Sequence, residues 1–73
     1  MKEYVYVSFT KELAQTRSLN FLKSREGYAM RLNKDEKEPI TIMTSNGDKY
    51  YFIAEKDRRR FFKSKKWRIK EIS

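Results

Sequence analysis

The stretch "ITIMTSNGDKYYFIA" (40–54) constrains the fold more than any other part of the chain. It sets Asn46-Gly47 between two runs rich in β-branched and aromatic residues. Asn-Gly in that setting is the strongest short-range hairpin signal, because both residues tolerate the positive φ of a tight turn. A two-residue turn would place Ser45 opposite Asp48, Met43 opposite Tyr50, Ile42 opposite Tyr51 and Ile40 opposite Ile53. In that register Ile40, Ile42, Tyr51 and Ile53 share one face, the natural core. Thr41, Met43, Tyr50 and Phe52 form the other face. Tyr50, Phe52 and Met43, with Lys49 at the turn, are then a candidate stacking platform of the kind sheet-based nucleic-acid binders use.

The flanking segments supply further elements. "EYVYVSF" (3–9) alternates Val5, Val7 and Phe9 with Tyr4, Tyr6 and Ser8, which predicts a strand. In "TKELAQTR" (10–17), Thr10 suits a helix N-cap and Lys11 to Gln15 are good helix formers. If that helix continues to Leu22, its apolar residues Leu13, Ala14, Leu19, Phe21 and Leu22 scatter around the wheel. The pattern therefore favours a short helix or turn followed by a strand at "SLNFLK" (18–23), paired through "SREG" with "YAMRLN" (28–33). "NKDEKEP" (33–39) reads as a polar connection, and Pro39 is acceptable as the first residue of a strand. "DRRRFFKS" (57–64) predicts one or two helical turns capped by Asp57, with Phe61 and Phe62 turned inward. "KKWRIKEI" (65–72) alternates as a last strand, with Trp67 and Ile69 on one side and Lys66, Arg68 and Lys70 as a basic ridge on the other.

This order of strand, variable connection, two hairpins, helical turn and final strand resembles the layout of SH3-like small barrels. Asn46-Gly47 stands where such folds place a tight hairpin. The resemblance lies in element order and includes no peptide-binding signature, so it implies a fold and no function. The expected class is mainly β: a small antiparallel five- to six-stranded sheet or SH3/OB-like barrel with one or two short helical turns. The alternative is an α+β fold, with a helix over 10–22 on a four-stranded antiparallel sheet. With 73 residues the chain is expected to form a single compact domain. A chain of that size buries only about 60% of the surface its unfolded form exposes.

Several chemistries are excluded by what the chain lacks. It has no cysteine and no histidine, which removes disulfides, thiolate metal sites, Cys nucleophiles and the usual general base near neutral pH. With only Gly27 and Gly47, it has no glycine-rich phosphate loop. In "KDEKE" (34–38), Lys34 and Lys37 interleave with Asp35, Glu36 and Glu38, which suits a solvated loop rather than a cation site. "SNGD" (45–48) is turn chemistry. The expectation is a non-enzyme with no cofactor and no metal. The longest apolar run, Tyr50 to Ala54, falls far short of the ~20 residues that span a bilayer. The opening "MKEYVYVSF" does not read as a signal peptide. A cytoplasmic or nucleoid-associated chain, neither secreted nor membrane-bound, is expected.

The charge carries the functional signal. The net charge is +8, and residues 56–70 hold nine cations against the single acid Asp57, while the rest of the chain has nine of each sign. A surface built for solubility intersperses both signs. Confining the excess to one segment creates a local field that attracts a polyanion. The expectation is a nucleic-acid-binding domain with little sequence specificity, its phosphate contacts made by Arg58, Arg59, Arg60, Lys63, Lys65, Lys66, Arg68 and Lys70, with Lys49 and Tyr50 as further contacts. Phe61, Phe62, Trp67 and Ile69 are assigned to the core, anchoring the segment so that the cations stand outward. The alternative partner is an acidic protein surface, docked by a small interaction module or inhibitor of the virus- or mobile-element type.

Overall fold

The computed structural model describes residues 2–25, 29–31, 39–65 and 70–72, with side chains described over 2–24 and 39–64. The elements run β1 (Glu3–Ser8), α1 (Lys11–Arg25), β2 (Ala29–Arg31), β3 (Ile40–Thr44), β4 (Lys49–Ala54), a 3₁₀ turn (Glu55–Asp57), α2 (Arg58–Lys65) and β5 (Lys70–Ile72). The strands join in one sheet of order β2-β3-β4-β1-β5. Its body is the three strands β3, β4 and β1, and the edge strands β2 and β5 add three residues each. β3 pairs antiparallel with β4 and with β2, whereas β1 pairs parallel with both β4 and β5.

This mixed sheet overturns the expected antiparallel sheet or barrel, and with it the SH3-like layout. Parallel neighbours need long crossovers that carry helices over the sheet faces. α1 and α2 do this on opposite sides. The α+β alternative comes closer, since α1 covers most of 10–22, but its antiparallel sheet is also incorrect.

The turn explains why the hairpin register differs from the sequence expectation. The Thr44 amide donates to Asp48 O at 2.9 Å, and the Gly47 amide to Thr44 O at 3.0 Å. The loop is thus the three residues Ser45, Asn46 and Gly47, closed by Gly47 at φ 90°, the form in which a left-handed glycine adds one residue to the turn. Asn46 braces it: its side-chain oxygen accepts from the Thr44 hydroxyl and from the Asp48 amide. The extra residue slips the pairing by one, giving Ile42 opposite Tyr50 and Ile40 opposite Phe52. Because side chains alternate with period two, that slip exchanges the faces of β4. Asp48 also fastens the start of β1, accepting from the Lys2 amide at 3.0 Å, while the Lys49 amide donates to Lys2 O.

Each face carries its own core. On the α1 side, Ala14, Ile40, Ile42, Tyr50 and Phe52 are buried, with Tyr4, Tyr6, Phe21 and Leu22 packed on them. The parallel register sets Tyr4 beside Tyr50 and Tyr6 beside Phe52, and both pairs stack, with centroids 4.9 and 5.0 Å apart. Such pairs are worth about 0.5–1.5 kcal/mol beyond their burial. On the α2 side, Val5, Tyr51, Ile53 and Phe61 are buried, with Val7 and Phe62 against them.

The strand expected at 18–23 is instead the second half of α1. Thr10 caps the helix as the sequence predicts, its hydroxyl accepting from the Leu13 amide at 3.1 Å. The inward stripe is Ala14, Arg17, Ser18, Phe21 and Leu22, a normal helical spacing. Ser18 is only 1% exposed and returns its hydroxyl to Gln15 O, while Leu13 and Leu19 point to water. Arg17 lies over the Tyr6 ring, 5.0 Å from its centroid, and donates to Val7 O. A buried serine, a stacked arginine and two exposed leucines hide the amphipathic period. Among the described residues, no helix is long and apolar enough to cross a membrane.

Candidate nucleic-acid interface

The predicted cations divide by where the chain places them. Arg58, Arg59, Arg60 and Lys63 are all exposed on α2. Lys65 is the last residue of that helix and Lys70 the first of β5, and their side chains lie outside the described ones. Lys66, Trp67, Arg68 and Ile69 lie outside the described residues altogether, as does the "KDEKE" segment. The strand expected from 65 onward is seen only at 70–72, so the described part of the basic segment is a helical surface rather than a strand's alternating ridge.

α2 is anchored through its rings. Phe61 is 6% exposed, tilted against Tyr51 at 5.2 Å, and Phe62 meets it edge-on at 5.7 Å. Full burial of a Phe side chain contributes about 1.5–3 kcal/mol, so these two residues fix which way α2 faces. The inward turn expected for both rings is what the structure shows. At 100° per residue, Arg59 and Lys63 then lie one turn apart on the side away from the sheet, with Arg60 next to them.

The acids near α2 bind only part of its charge. Arg60 pairs with Asp57 at 3.2 Å and Arg58 reaches Glu55 at 4.0 Å. Both pairs are solvent-exposed, and such pairs contribute about 0–1 kcal/mol, so a phosphate can compete for either arginine. Asp57, expected as the cap, closes the 3₁₀ turn directly before the helix. Arg59 and Lys63 form no ion pair among the described residues. Like charges at this spacing oppose the helix by about 0.2–0.5 kcal/mol.

Two predicted contacts do not join this surface. Tyr50 is buried under α1, between Tyr4 at 4.9 Å and Phe21 at 4.6 Å, so its ring faces are occupied. Phe52 is 2% exposed, and the expected stacking platform is closed by α1. Lys49 is half-buried at the far end of β4 from the start of α2.

One aromatic departs from expectation in the other direction. Alternation puts Phe9 with Val5 and Val7, but β1 ends at Ser8 and Phe9 is 84% exposed. Alternation alone does not mark where a strand ends, so the sequence carries no sign that Phe9 lies beyond it. Comparison with known proteins returns no match, whether to a protein family, a curated protein or a solved structure.

Proposed function

We propose that the chain is a non-enzymatic nucleic-acid-binding domain of the cytoplasm or nucleoid, with α2 as its phosphate-contacting element. The observation that carries this reading is the pair Arg59 and Lys63: exposed, one turn apart, and without an acid on them among the described residues. Their arrangement opposes helix stability and favours an incoming anion. Arginine contributes a planar fork that grips phosphate through two bonds, and lysine a mobile point charge. Contacts of this kind position a polyanion without reading its bases, so little sequence preference is expected.

The test is fluorescence anisotropy with labelled oligonucleotides at low salt, comparing the wild-type chain with Arg59→Ser/Lys63→Ser. The reading predicts binding by the wild type and a loss of at least tenfold in the double variant, with folding unchanged by circular dichroism. No binding at low salt would refute it. So would a purified chain that holds an acidic protein stoichiometrically and excludes oligonucleotide.

A further inference from the structure

β1 and β4 are adjacent and parallel, and their last register pair is Ser8 with Ala54. Beyond that pair the two chains leave in opposite directions. β1 leads through Phe9 and Thr10 into α1 on one face, and β4 leads through Glu55–Asp57 into α2 on the other. Divergence of successive connections from neighbouring parallel strands opens a crevice at their carboxyl ends, the place where open α/β sheets hold ligands. Two features continue the chains directly beyond that last pair. One is the Phe9 ring, 84% exposed and the most exposed large apolar side chain among the described residues. The other is the start of the basic segment, where residues 55–60 bring four cations against Glu55 and Asp57.

From this juxtaposition we infer that the β1–β4 crevice binds single-stranded nucleic acid, with one base stacked on Phe9 and the neighbouring phosphates on Lys56 and Arg58. The inference rests on the nucleic-acid reading above and narrows it from any polyanion to an unpaired strand. A base must expose its face to lie on a ring, and a duplex keeps those faces stacked within itself. The internal aromatics are taken: Tyr4, Tyr6, Tyr50, Phe52 and Phe21 stack on one another under α1. Among the described residues Phe9 is the most exposed ring, and so the one a base can reach most readily. Stacking is indifferent to base identity, which agrees with contacts made mainly to phosphate.

The experiment measures anisotropy with three labelled probes of equal phosphate number, oligo-dT, oligo-U and a DNA hairpin duplex, against wild type, Phe9→Ala, Phe9→Trp and Arg59→Ser/Lys63→Ser. The inference predicts that Phe9→Ala weakens both single-stranded probes about tenfold, the loss of one stack, and leaves the duplex unchanged. Phe9→Trp should keep or tighten single-strand binding, and its larger ring separates stacking from folding. Unequal losses for oligo-dT and oligo-U identify which strand the crevice prefers. If Phe9→Ala matches wild type on every probe while the α2 double variant weakens all of them, the crevice inference falls and the phosphate reading stands. If neither variant changes binding, or the wild type binds nothing, both fall. If Phe9→Ala instead abolishes a concentration-dependent dimer in sedimentation and spares oligonucleotide binding, the ring belongs to a contact between copies and the inference is overturned.

Discussion

Ser18 shows how a single residue can obscure an element. It sits on the inward stripe of α1, with 1% of its surface exposed, and its hydroxyl returns to the helix at Gln15 O. That internal bond makes the hydroxyl dispensable and the small volume essential. Ser18→Ala should therefore shift stability by less than about 0.5 kcal/mol, while Ser18→Leu, which would restore an apolar stripe on paper, should cost about 1–3 kcal/mol by overpacking. Urea denaturation of the two variants checks this, and a stable leucine variant would show that α1 is not held close at Ser18. Tyr51 permits a second residue-scale test. Burial, and then the hydrogen bond and charge of Glu3, whose Oε1 accepts from the phenol at 2.8 Å, push its hydroxyl well above the ordinary value of 10.0. An unfolded chain releases this proton first as pH rises, so the folded state binds more protons and stability falls. The contribution is complete below about pH 10 and is lost as pH climbs through the folded value. Tyr51→Phe should flatten this alkaline decline in urea midpoints compared between about pH 8 and about pH 11. Parallel declines would show that Tyr51 does not contribute.

At the scale of elements, legibility depended on whether local chemistry or tertiary placement decided the outcome. β1, the Thr10 cap, the Asn46-Gly47 turn and the Phe61–Phe62 anchor were all readable, because each is set by the residues that form it. The length of α1 was not, since its inner stripe contains Arg17 and Ser18, whose burial depends on Tyr6 and the sheet beneath them. The hairpin register was lost to one residue of turn length, which only Gly47's conformation decides. β4 carries a signal of its own. A continuous run from Tyr50 to Ala54 is what a strand buried on both faces looks like, and all five of those residues are buried. Such a strand requires cover on both sides, which argues for two helices and against a barrel with one wet face. The role of α2 leads to a paired prediction. Phe61→Ala should cost about 3–5 kcal/mol, a large share of the stability of a domain this small. Arg59→Ser/Lys63→Ser should leave stability unchanged or raise it by a few tenths of a kcal/mol, since it removes a like-charge pair. Thermal melts of the two variants distinguish an anchor from a binding surface; a double variant that melts far lower would assign those cations a structural role.

For the whole molecule, the separation of charge from core is the organising feature. The sequence placed all of the +8 excess in residues 56–70, and the structure shows how α2 holds its share of it outward while its rings join the sheet. The aromatics expected to be available on the hairpin are internal, and Phe9, expected to continue the alternation of β1, is exposed. Both departures follow from where strands end and which faces helices cover. The most direct test of the account is the salt dependence of binding to oligo-dT. If about six phosphates are engaged, log affinity should fall with log salt at a slope near −4, from ~−0.7 per single-strand phosphate. Arg59→Ser/Lys63→Ser should reduce that slope to about −3. A slope near zero, or one that the double variant leaves unchanged, would contradict the assignment of α2 as the phosphate-binding element.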